Sequence, residues 1–194
     1  MLKKDEQKIT RFSITLKLMN LLLLSPHGRS GSLLMHSLFD QHPEVFSLPT
    51  FFYYPKWKYH DSTLECINNF IKFYPDIFDI SEGYLGVIGK NTTSMFGEKG
   101  NENITVSKSL FFENAKNIFR KNLKSGISRK NFIEGIHLAY SQTLGIESKK
   151  IKFILLHLHD YKDKSHDFAL EDFPNLKYIA MIRDPREDWL SVKT

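Results

Sequence analysis

Residues 21–45 read LLLLSPHGRSGSLLMHSLFDQHPEV. An apolar run ends abruptly in Ser25-Pro26-His27-Gly28-Arg29-Ser30-Gly31-Ser32, and a second apolar pattern then begins. Leucine favours helix, but Ser25-Pro26 and Gly28 stop the first run before a helix reaches useful length. Residues 18–24, apolar except for Asn20, are therefore expected to form a buried strand. From Ser32 to Gln41 the pairs Leu34/Leu38 and Met35/Phe39 recur at i, i+4, the spacing of one helix face, and His42-Pro43 ends the pattern. The opening is strand, glycine-containing loop, helix.

Two readings of that loop are open. Gly28 and Gly31 let the backbone turn sharply or approach a ligand closely. The N–H groups that begin the following helix attract anions, Arg29 adds a permanent charge with forked donors, and Ser30 and Ser32 add hydroxyls. The same residues also suit an ordinary strand-to-helix turn, and a short glycine motif alone does not separate the two. It is neither a Walker A loop nor GxGxxG, because no Gly-Lys-Ser/Thr follows and no third glycine is present.

The 194 residues fit a single domain over 1–194, with 41% hydrophobic and 25% charged residues, the balance of a globular chain. Sixteen phenylalanines point to an aromatic core. A net charge of +5 is compatible with an anionic partner and equally with a solvated surface, and no feature singles out nucleic acid. The single cysteine, Cys66, excludes an intramolecular disulfide and reads as a core residue. The N-terminal segment lacks a signal-peptide cleavage pattern and its apolar run is too short to span a bilayer, so no membrane span and a cytoplasmic location are expected. Asn91-Thr92-Thr93 and Asn103-Ile104-Thr105 match the glycosylation sequon, a triplet common by chance.

Residues 51–150 are expected to be mainly helical. Asp61 and Ser62 are N-cap candidates for a helix over 61–74 with a stripe through Leu64, Ile67 and Ile71. Residues 81–103, rich in Gly, Asn, Thr and Ser, read as a long loop, and 107–123 and 128–144 as amphipathic helices. Two further apolar runs, 152–159 and 175–182, read as buried strands. Asp184, Pro185 and Glu187 then supply an N-cap, a first-turn proline and a capping acid, which puts Arg183 at a strand end as a helix begins. Strands separated by helices imply a parallel α/β sheet, whose ligands bind at the carboxyl ends of the strands.

His27 to Leu34 resembles the 5′-phosphosulfate loop of sulfotransferases that use 3′-phosphoadenosine 5′-phosphosulfate (PAPS). Leu38-Phe-Asp-Gln-His-Pro-Glu-Val resembles the continuation in the carbohydrate and bacterial members, and Tyr178 to Ser191 resembles the family's 3′-phosphate motif. The two motifs follow the family's order and cover a minor part of the chain. The resemblance implies a three-layer, P-loop-like α/β fold with a central parallel sheet and a helical middle. It also implies transfer of a sulfuryl group from PAPS to a hydroxyl or amine acceptor, such as a glycan, without a metal. On this reading Arg29 acts at the 5′-phosphosulfate, Gly28, Ser30, Gly31, Ser32 and Leu33 form the cradle, and Arg183 and Ser191 hold the 3′-phosphate. Leu33 departs from the family by replacing a threonine, and Leu34 stands where cytosolic small-molecule members carry an aromatic residue.

Some relatives use a strand histidine as general base, and His159, then His157, are the candidates here. They alternate on one strand and so share a face. Their His-x-His spacing offers two metal ligands and the sequence supplies no third. The acidic alternative is disfavoured, because Thr50 stands where some relatives carry glutamate. Relatives continue well beyond the position of Thr194, so an incomplete fold at the C-terminus is expected. A drifted P-loop kinase and a non-catalytic nucleotide-binding domain are the alternative readings. Neither acceptor nor oligomeric state is legible.

Overall fold

The computed structural model describes residues 19–27, 30–40, 42–54, 62–78, 106–158, 164–184 and 186. Among the described residues four strands form one sheet: β1 (Asn20–Pro26), β2 (Val45–Ser47), β3 (Phe153–His157) and β4 (Lys177–Met181). Their order across the sheet is β2-β3-β1-β4 and every pairing is parallel. The helices are α1 (Ser32–Ser37), α2 (Thr63–Phe73), α3 (Lys108–Ile118), α4 (Arg129–Thr143) and α5 (Ser165–Asp172), with a 3-10 turn at Pro75–Ile77. The expectation of a parallel α/β fold with a helical middle holds. The loop expected over 81–103 lies outside the described residues.

Neighbouring side chains of a strand point to opposite faces of the sheet, so β1 sorts its contacts. Leu21 and Leu23, with Ile154 and Leu156 of β3 and Phe46 of β2, join the main core beneath α2, α3 and α4. Ser25 lies on this same face, and its Oγ is 2.8 Å from Nε2 of His166 in α5. Leu24 points the other way, beside its register partner His157, whose ring meets His36 of α1. Helices therefore cover both faces, giving three layers, as expected for a parallel sheet.

Local capping fixes the helices of the middle section. Ser62 accepts from the N–H of Glu65 and the Glu65 side chain returns to the Ser62 N–H, a capping box. Ser107 and Ser128 cap α3 and α4 in the same manner, accepting from Leu110 and Asn131. Cys66 is fully buried, as its apolar setting suggests.

Three expectations are corrected. The first helix ends at Ser37 rather than Gln41. The N–H groups of Phe39 and Asp40 bond carbonyls only three residues back, at His36 and Ser37, while the Ser37 hydroxyl takes the Leu34 carbonyl. The first strand continues through Ser25-Pro26, which does not break it. Pro26 has no N–H for β3, so the β1–β3 ladder stops at Leu24–His157, whereas β1–β4 runs on to Pro26–Met181. Finally, β4 is not buried. Among the described strands it lies at the edge of the sheet, and Tyr178 is 50% exposed. An apolar run reads the same whether its strand is interior or at an edge; only pairing distinguishes them.

Candidate functional site at the carboxyl edge of the sheet

Pro26 and Met181 are register partners, and the N–H of His27 donates to the Met181 carbonyl at 2.8 Å. Adjacent strands lie about 4.8 Å apart, so the chain leaving β1 into the glycine loop and the chain leaving β4 into Arg183 start side by side. Between β1 and β3 the ladder ends earlier, at Leu24–His157. Arg183 is exposed just past β4. The next carboxylate, Asp184, accepts from the Arg186 N–H at 2.9 Å and from its guanidinium at 2.6 Å, the expected N-cap geometry.

Gly28, Arg29, His159 and Ser191 lie outside the described residues. Gly31 is described and has φ +83°, ψ 24°, the left-handed conformation, at the N-cap of α1. A Cβ there would meet nothing within 4 Å, so the backbone rather than packing demands glycine. Gly31→Ala should cost about 1–2 kcal/mol through that conformation alone, read by thermal unfolding. A cost near zero would mean that the turn relaxes freely.

Ser30 Oγ is buried with no hydrogen-bond partner among the described residues. Leu33 is partly exposed. Ser32 and His36, one turn apart, form the buried face of α1. A short helix thus turns polar groups, rather than leucines, toward the sheet; Leu34 and Leu38 are instead 69% and 67% exposed. The amphipathic stripe expected from Leu34/Leu38 points outward.

His157 is 1% exposed. Its Nδ1 is 3.2 Å from Nδ1 of His36, the rings are edge-on at 5.2 Å, and the Phe51 ring packs on its other side at 4.6 Å. Its carbonyl accepts from the N–H of Phe52, which ties the segment after β2 to the end of β3, with Thr50 buried beside it. Such a walled ring is poorly placed to meet an acceptor hydroxyl. Burial pulls the pKa of His36 down to about 4, so this ring is neutral at physiological pH.

Sequence reasoning missed His36 and His166. The leucine spacing of α1 masks its polar pair, although Ser32 and His36 stand at the same i, i+4 interval. His166 gives no local signal, since its partner Ser25 is met through the fold.

Among the described residues no helix is long and apolar enough to cross a membrane, and no group of three His, Cys, Asp or Glu could hold a metal. No protein-family model matches the chain, and comparisons with curated proteins and with solved structures return no match.

Proposed function

We propose that the carboxyl edge of the sheet binds a 3′-phosphorylated adenine nucleotide, and that the chain carries a PAPS-dependent sulfotransferase site on a P-loop-like sheet. The observation that carries this reading is the Pro26–Met181 pairing. It gives the glycine loop and Arg183 a common origin on adjacent strands, although they are distant in sequence. Ser30 Oγ supports the reading, because a buried hydroxyl without a partner in such a loop suits a phosphate or sulfate oxygen.

In this reading Arg29 and the Ser30–Ser32 turn hold the 5′-phosphosulfate, and Arg183 with Ser191 holds the 3′-phosphate. The donor supplies an electrophilic sulfur. The acceptor oxygen forms a bond to it as the bond from sulfur to the phosphate oxygen breaks, and the bisphosphate leaves. His159 takes the acceptor's proton; His157, enclosed by His36 and Phe51, is the weaker base candidate. The permanent charge of Arg29 steadies the leaving phosphate. A glycan or other hydroxyl compound is the acceptor class.

Calorimetry tests the nucleotide assignment. Adenosine 3′,5′-bisphosphate should bind at least tenfold more tightly than 5′-AMP, about 1.4 kcal/mol, and Arg183→Ala should remove that preference. Equal affinity for the two nucleotides would refute the 3′-phosphate role. Stronger binding of ATP with magnesium would favour the kinase reading.

A further inference from the structure

We propose that His36 and His157 form an acid-sensitive latch that holds α1, and with it the Ser30–Ser32 turn, against the end of β3. The inference is independent of what that turn binds. The two Nδ1 atoms are 3.2 Å apart in a layer where the residues are 5% and 1% exposed. A bond between these atoms needs one ring to donate and the other to accept, which two neutral imidazoles can do. His36 Nε2 is buried and has no hydrogen-bond partner among the described residues. As part of a neutral ring that atom is a modest cost. Once the ring is protonated, it becomes a charged N–H with nothing to donate to.

Among the described residues no charged group meets the His36 ring. The segment after β2 contributes the Phe51 ring and the buried Thr50, β1 contributes Leu24, and Ile179 of β4 lies beside Leu24 in the register. On α1's own continuation Asp40 is at the surface, as is Arg183 past β4. Burial alone accounts for the depressed His36 pKa; no described charge contributes. A first proton shared across the Nδ1 pair would leave a buried cation, and a second would place two cations in contact. Hydrating the imidazolium requires α1 to lift. This helix is short, and its outward leucines are already in water, so little apolar burial opposes the movement.

The sign follows from linkage. A histidine with pKa near 6.5 when exposed and about 4 when closed binds more protons in the open state. The closed form is therefore fully favoured above about pH 6.5 and is lost progressively as pH falls toward 4. Between pH 7.5 and pH 5 one such proton increases opening about 25-fold.

Amide hydrogen exchange, corrected for intrinsic rates, reads this directly on the full chain. The amides of Met35 and Leu38 in and beside α1 should lose about 25-fold protection between pH 7.5 and pH 5. Those of α4, held in the main core, report global opening, which also exposes His137, likewise depressed to about 4 by burial, so their loss with acid should persist in His36→Gln. In that variant, which can still bond His157, the loss in α1 should vanish. Protection of α1 equal to that of α4 at both pH values, no loss in α1, or a loss in α1 that persists in His36→Gln would each overturn the latch. If His36→Gln does not fold, NMR titration of the His36 ring decides. Titration together with α1 opening supports the latch; titration near 6.5 with α1 still protected rejects it.

Discussion

Gly135→Ala is expected to destabilise the fold by about 3 kcal/mol, an overpacking loss at the upper end of its usual range. A Cβ at Gly135 would lie well under 3.0 Å from two atoms of the Phe119 ring, closer than such atoms approach. The ring cannot simply swing aside. Phe119 is 2% exposed and stacks on Phe132 with centroids 5.8 Å apart and planes 17° from parallel. Alanine would otherwise be the better helix residue by about 1 kcal/mol, so the sign of the change is diagnostic. Chemical denaturation of Gly135→Ala, Phe119→Leu and the double variant provides the check. The double variant should be far less destabilised than the sum of the singles. Additive losses would show that Gly135 and Phe119 do not share this contact.

Asp172→Ala should cost a similar amount, about 3 kcal/mol, through loss of a part-buried ion pair and of the hydrogen bond from the Tyr54 hydroxyl. Asp172, at the end of α5, accepts from Arg129 Nε at 2.9 Å and from the Tyr54 hydroxyl at 2.8 Å. The side chains of Arg129 and Asp172 are only 23% and 16% exposed, and Tyr54 is 1% exposed. Arg129 also bonds Glu171 at 2.6 Å and lies over the Phe168 ring at 4.2 Å. One carboxylate therefore joins the start of α4, the end of α5 and the segment after β2. Removing it takes the Asp172 acceptor from the Tyr54 hydroxyl and leaves the guanidinium with Glu171 and the Phe168 ring. Asp172→Asn, which keeps an acceptor for Tyr54, should lose about half as much. A cost below about 0.5 kcal/mol for Asp172→Ala, the range of ordinary surface changes, would show that the network is a surface decoration.

The parts of the fold that were legible in the sequence are those whose causes are local. Ser62 with Glu65, Ser107 and Ser128 cap helices through bonds that span three residues, so each start could be read to within one or two positions. The strand–loop–helix at Pro26 to Ser37 was legible for the same reason: Gly31 is needed by its own φ. What lies across the fold was not legible. Strand order, the open flank at β4, and the pairing of Ser25 with His166 or of His36 with His157 depend on residues more than a hundred positions apart. The candidate site divides similarly. The loop and Arg183 are candidates that the sequence proposes, whereas the buried polar layer of Ser32, His36 and His157 is visible only once α1 shows which face it turns inward.

The strand order carries a consequence for how the chain is made. Asn20 pairs with Phe153 and Leu22 with Lys177, so the central strand leaves the ribosome long before either neighbour exists. At about 5–20 residues per second, the wait between Asn20 and Phe153 is roughly 7–27 s. Through that interval Leu21, Leu23 and Leu24, almost wholly buried in the finished protein, have no strand beside them. The helices of the middle section can form meanwhile from their own caps. The sheet cannot, and its assembly is the step that a nascent-chain chaperone would protect.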